Sequence, residues 1–129
     1  MSAVPFVIDS SIVLAVLRNE EGNRLAAEFA MGADMSSVNL AEIVTKCVEF
    51  EIDPNDVLQY IAGRNISVVE FNCADSVLTG RLWKAAPKGK LSLGDRACIA
   101  TAVRLGATAV TADRIWAELD LPCKVELIR

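Results

Sequence analysis

The chain contains no histidine. That removes the commonest general base and the commonest zinc ligand, and it excludes a Ser-His catalytic pair. The four cysteines, Cys47, Cys73, Cys98 and Cys123, lie about 25 residues apart, so there is no CxxC for zinc or redox chemistry. Each falls in or beside an apolar segment and reads as a small core residue. Aromatic residues are only 5% of the chain, which leaves Ala, Val, Leu and Ile to build the core. Positive charge is also short: 13 Lys and Arg against 17 Asp and Glu, a net charge of −4. A nucleic-acid ligand would therefore need a local basic patch or bound cations. No basic leader precedes the first apolar run, and Ile12 to Leu17 is too short to span a bilayer. These absences predict a reduced, cytoplasmic protein with no membrane segment.

What is present is apolar and evenly spread. At 129 residues with 53% hydrophobic content, the chain reads as one domain over 1–129, with a fair core. Five short apolar runs alternate with helical patterns: Val4 to Ile8, Asp34 to Val38, Ile66 to Phe71, Thr108 to Thr111 and Lys124 to Ile128. Strands alternating with helices predict an α/β domain with a mainly parallel five-stranded sheet. Helix starts are well marked. Asp9 or Ser10 opens a helix through Leu17, and Glu20 to Met31 is amphipathic. Asn39 is placed as the cap of Leu40 to Phe50, and Asp53-Pro54 opens a helix to Gly63. Asn72 opens another with Asp75 at its third position. Ser92 caps a helix that ends at Gly106, and a short helix runs from Asp113 to Leu119.

Four acids at these helix starts matter most: Asp9, Glu42, Asp95 and Asp113. In parallel sheets ligands bind beyond the carboxyl ends of the strands, where strand order reverses. Asp9 follows the first strand directly, and Asp113 lies two residues past the fourth. Capping alone accounts for acids at such positions, as Asp53, Asp56 and Asp75 illustrate, and Asn39-x-x-Glu42 and Ser92-x-x-Asp95 are both capping-box patterns. Convergence would change the balance. Two carboxylates ~4 Å apart repel by ~4 kcal/mol at an effective dielectric near 20. A cap returns only about 0.5–2 kcal/mol. Four clustered acids therefore require a cation or raised pKa values, and all-oxygen ligands suit Mg²⁺ or Mn²⁺. Asp75, past the third strand, would stand roughly 10 Å from the crevice at sheet spacing and reads as structural.

Other motifs fail. Gly89-Lys90 is not a P-loop, because Leu91 replaces the hydroxyl and Lys84 replaces the first glycine. Ser11 stands where a haloacid-dehalogenase-type phosphatase has its second Asp, and no GxGxxG follows a strand.

Four segments, Val7-Ile8-Asp9-Ser10-Ser11, Ser36-Ser37-Val38-Asn39-Leu40-Ala41-Glu42, Leu91-Ser92-Leu93-Gly94-Asp95-Arg96 and Val110-Thr111-Ala112-Asp113-Arg114-Ile115-Trp116, occur in an order and spacing that resembles the PIN-domain ribonucleases, closest to the VapC-type toxins of toxin–antitoxin pairs. The resemblance spans nearly the whole chain. It implies strand order 3-2-1-4-5 and a catalytic, metal-binding site of Asp9, Glu42, Asp95 and Asp113. It also implies Mg²⁺- or Mn²⁺-dependent RNA cleavage, a homodimer, and a cognate antitoxin that blocks the site. Ser11 and Thr111 are expected to hydrogen-bond the acids. Arg96 and Arg114 flank the site and, with Lys88 and Lys90, are candidates for RNA contact. Lys88 and Lys90 belong with Arg81 and Lys84 to the one basic cluster. Trp83 and Trp116 read as core or dimer contacts. The competing readings are a non-catalytic module of the same fold and a PIN nuclease of RNA processing.

Overall fold

A computed structural model describes residues 5–129. Five parallel strands form one sheet in the order β3-β2-β1-β4-β5. They are β1 (Phe6–Ile8), β2 (Asp34–Ser36), β3 (Ser67–Val69), β4 (Thr108–Thr111) and β5 (Val125–Leu127). Six α-helices alternate with them: α1 (Ser10–Leu17), α2 (Asn23–Ala30), α3 (Ser37–Glu49), α4 (Pro54–Gly63), α5 (Cys73–Arg81) and α6 (Leu93–Leu105). Two 3-10 helices, Leu82–Ala85 and Arg114–Glu118, complete the chain. The expected strand order is therefore found. β4 has the expected bounds, the other strands are shorter than their apolar runs, and Val4, the expected start of the first, lies outside the described residues.

The central strands are largely buried because helices cover both faces of the sheet. Successive side chains point opposite ways. Ile8 and Val110 enter a core with Ile12, Val13, Met35, Ile43 and Val57, while Val7 and Ala109 enter a second one with Cys98, Ile99, Ala102 and Trp116. The register pairs Ile8 with Val110, so β1 and β4 end level. Strand order reverses between them, and both chains leave the sheet there to begin new elements.

Local signals placed most helix starts correctly. Asp9 caps α1, Asp53 caps α4, and Asn72–Asp75 and Ser92–Asp95 are complete capping boxes. The short helix expected between Asp113 and Leu119 is also present, as the 3-10 helix Arg114–Glu118 capped by Asp113. Two helix starts need correction. The third helix begins three residues earlier than expected: Ser36, not Asn39, is its cap, its hydroxyl accepting from the Val38 N–H at 3.2 Å. The second helix starts at Asn23, because Glu20 and Glu21 lie in the turn before Gly22. Of the cysteines, Cys47 and Cys98 are buried, Cys123 is partly covered and Cys73 is exposed at the first position of α5, outside any core. Among the described residues no helix is long and apolar enough to cross a membrane.

Candidate metal centre at the strand ends

Asp9 leaves β1 at the reversal and is buried, 4% exposed. Its backbone N–H donates to the Val110 carbonyl, which fixes it beside β4. One carboxylate oxygen accepts from the Ser11 N–H at 3.0 Å and from the Ser11 hydroxyl. The other accepts from the fully buried Thr111 hydroxyl at 2.7 Å. Both hydroxyls are held in turn: the Ala112 N–H donates to Ser11 Oγ at 2.9 Å and the Asp113 N–H donates to Thr111 Oγ1 at 3.1 Å. Asp9 thus stands at the centre of a network that laces the end of β4 to the start of α1, each bond polarising the next.

The network is rich in donors but holds no cation. None of Asp9, Glu42, Asp95 and Asp113 forms an ion pair among the described residues. Burial therefore dominates, and it raises the Asp9 pKa to about 7, with the charge of Asp95 adding to it and the Ser11 and Thr111 bonds opposing it. Asp95 is raised as well. Burial is again the main cause, the charges of Asp113 and Glu42 contribute, and its bonds with Ser92 work against them.

Asp95 accepts from the Ser92 N–H at 2.9 Å, closing the capping box of α6. Asp113, exposed, caps the second 3-10 helix by accepting from the Ile115 N–H at 3.2 Å. Glu42 points from the first turns of α3 toward the start of α6. Its carboxyl lies so close to Gly94 that a Cβ there would clash with it. Asp95 is thus within electrostatic reach of the other three acids: its charge acts on Asp9, and those of Asp113 and Glu42 act on it. The four do not form a closed cage, because no three acids or thiols among the described residues stand close enough to share an ion in this conformation. The donor set fits a hard divalent cation on chemistry: carboxylate oxygens only, one of them buried without a compensating positive charge.

Two residues of this region escaped sequence reasoning. Asn39 is fully buried and its amide donates to Glu42 Oε1 at 2.8 Å and to the Gly94 carbonyl at 3.1 Å, so it bridges α3 to α6. Its own Oδ1 is buried without a partner among the described residues. Gly94 supplies the missing side chain that admits Glu42. The only signal for either was its place in the capping patterns, and the capping reading was wrong for Asn39.

The flanking cations are placed differently from one another. Arg96 donates to the Thr79 carbonyl at 2.8 Å and the Leu91 carbonyl at 3.4 Å, committing it to backbone beside the acids. Arg114 is exposed and donates to the Arg129 carbonyl at 3.3 Å. Lys88 and Lys90 are exposed in the loop before α6. A shallow hollow of about 310 Å³ lies at the opposite end of the sheet, lined by Gly106, Thr108, Pro122 and Cys123, and contains none of the acids.

The PIN domain family matches residues 6–121. Among solved structures the fold is similar to DNA-bound VapBC from Salmonella typhimurium, with a TM-score of 0.69 and 19% identity over 98% of this chain and 100% of that one. It is similar to VapBC2 from Rickettsia felis bound to a DNA fragment from its promoter, with a TM-score of 0.68 and 18% identity over 95% and 97%. It also resembles VapBC-5 from Mycobacterium tuberculosis, a member of the VapBC family of toxin–antitoxin systems, with a TM-score of 0.63 and 17% identity over 98% and 99%. At these identities the likeness is one of fold. No curated protein matches the chain.

Proposed function

Because the chain belongs to the PIN-domain family, we propose that it is a Mg²⁺- or Mn²⁺-dependent endoribonuclease, the toxin of a toxin–antitoxin pair. The observation that carries this reading is the buried Asp9 carboxyl, set at the strand-order reversal with the Asp95 charge acting on it and no ion pair among the described residues. A structural cap needs no burial, since Asp53 caps α4 with its carboxylate at an exposed hydrogen bond.

Asp9, Glu42, Asp95 and Asp113 would hold the ion. When bound, it would supply positive charge for the phosphate in the transition state and lower the pKa of the attacking water. The chain's own part is to hold the donors still. Ser11 and Thr111 fix both oxygens of Asp9, and Asn39 fixes Glu42. With no histidine in the chain, protons leave through a carboxyl group or solvent. The same fold in VapBC complexes supports a cognate antitoxin as protein partner. A homodimer is proposed too, with Val48 and Phe50 at the end of α3 and Leu58 on α4 as exposed apolar contacts for the second copy.

The test is incubation of purified protein with total RNA, with Mg²⁺ and with chelator, mapped to nucleotide resolution. Cuts at defined positions that vanish with chelator are expected, and intact RNA under both conditions would refute the proposal. A second result separates site from scaffold. In Gly94→Ala the new methyl must displace the flexible Glu42 carboxyl. Cleavage should fall by up to about 100-fold, as expected for a misplaced catalytic group. Thermal stability should change by no more than about 1 kcal/mol, because alanine suits a helix better than glycine. Full activity in this variant would show that Glu42 need not occupy its present place.

A further inference from the structure

Between Asp75 and Asp95 the chain carries no acidic residue and four cations, Arg81, Lys84, Lys88 and Lys90. All four are exposed, and none forms an ion pair among the described residues. In a chain of net charge −4 this segment is the exception. Trp83 stands in its middle, on the 3-10 helix Leu82–Ala85. It is 46% exposed, whereas Trp116 is 1% exposed. Leaving half an indole in water forgoes apolar burial that its neighbour Leu82 obtains.

The ring is held in a particular way. The Arg96 guanidinium lies 5.3 Å from its centroid and is itself fixed by the Thr79 and Leu91 carbonyls. Arg96 is the residue next to Asp95. The indole is therefore one arginine side chain away from the acid cluster, backed by a planar cation that cannot swing freely. An exposed aromatic ring among unpaired cations matches the two parts of a single-stranded nucleotide: the base stacks and the phosphates pair with lysine. In a duplex the base faces are already stacked on one another and unavailable to the ring.

We infer that Trp83 is a stacking platform for an unpaired base of a single-stranded RNA whose phosphates run along Lys84, Lys88 and Lys90 toward Asp95. This rests on the nuclease reading of the acids and adds the residue that grips the strand beside the cut, through one base stacked on Trp83. Expected roles divide accordingly. Trp83 supplies affinity that salt does not weaken, and the lysines supply affinity that salt does weaken.

The two tryptophans make the test direct, because only Trp83 is open to a stacked base. Asp9→Asn protein, which binds without cutting, is titrated with an oligouridylate of about ten nucleotides, within the range of known single-strand sites. Tryptophan emission should be quenched on binding, and a duplex of the same length should quench little. By anisotropy of a labelled oligonucleotide, Trp83→Ala should bind about tenfold more weakly, the usual loss for one base–aromatic stack. Trp83→Phe should retain most of the affinity. Replacing Lys88 or Lys90 by Ala should flatten the slope of log affinity against log salt by about 0.7 each. Equal affinity in Trp83→Ala and the parent, or equal quenching by duplex, overturns the platform while leaving the nuclease intact. Failure of the parent to bind any RNA at low salt overturns both, and would turn the patch toward an acidic protein partner.

Discussion

Asp9→Asn should slow RNA cleavage by about 1,000-fold or more, the scale of losing a group that organises transition-state charge, and yet make the metal-free protein more stable at pH 8. The sign follows from linkage. The Asp9 pKa is about 7 in the folded protein, above its ordinary 3.8, so the folded state holds this proton more tightly than the unfolded one. The associated stability is complete below about pH 3.8 and is lost as pH rises through about 7. The full shift of about three pH units corresponds to roughly 4 kcal/mol at most. An asparagine is neutral throughout and keeps the acceptor for the Ser11 N–H, although the Thr111 hydroxyl must find a new arrangement. Allowing about half of the maximum to survive, the melting temperature at pH 8 should rise by about 5–10 °C, and the difference should shrink toward zero as the pH falls below about 3.8.

Metal reverses the ranking. In the parent, Mg²⁺ at about 100 times its Kd should add roughly 2–3 kcal/mol by binding the folded form alone. Asp9→Asn should gain much less. Differential scanning calorimetry across pH, with and without Mg²⁺, reads all of these effects. A metal-free Asp9→Asn protein that melts lower than the parent at pH 8 would reduce Asp9 to a helix cap. No shift of the parent in millimolar Mg²⁺ would remove the cation from the account.

Arg104→Ala should be the most damaging substitution outside the acid cluster, costing about 3 kcal/mol or more. Arg104 donates to both oxygens of Asp75, at 2.7 and 3.0 Å, and to the Glu70 carbonyl at 3.2 Å. The Asp75 side chain is only 1% exposed. Burial alone would raise its pKa, but the Arg104 bonds and the Asn72 N–H outweigh burial and hold it below the ordinary value. Removing the guanidinium strands a buried carboxylate, and breaking buried pairs in this way typically costs 3–5 kcal/mol. The lower end applies because Arg104 is itself about a third exposed. The urea midpoint should fall accordingly, and Asp75→Asn in the same background should recover much of the loss, a coupling that a double-mutant cycle reads directly. Arg104 is nine residues, or about 13 Å of helix, from Asp95. Cleavage per folded molecule should therefore be unchanged. A loss of activity in folded Arg104→Ala would tie the α5–α6 contact to the site.

These expectations separate what is local from what is not. Asp53-Pro54, Asn72-x-x-Asp75 and Ser92-x-x-Asp95 were readable as helix starts because a cap is completed within three residues of itself. Apolar alternation with helical segments was enough for an α/β sheet. Asp9, Asp95 and Asp113 were readable as acids at helix starts, whereas Glu42 lies in the second turn of α3, and the grouping of all four came from resemblance to a family. The strand order itself came from resemblance to a family and not from periodicity.

What the amino-acid sequence alone determined was thus the succession of elements, the chemistry of the donors and the absence of any histidine. Only the folded structure decided how those donors are held. Asn39 left its expected capping role to bridge Glu42 and Gly94, 55 residues away, and Thr111 came to hold Asp9 across 102 residues. Burial decided the rest: it separates two tryptophans identical in composition, and it raises Asp9 toward neutrality while Asp75, equally hidden, stays charged against Arg104. Caps are written in neighbouring residues, but desolvation and long-range pairing depend on which parts of the chain exclude water together.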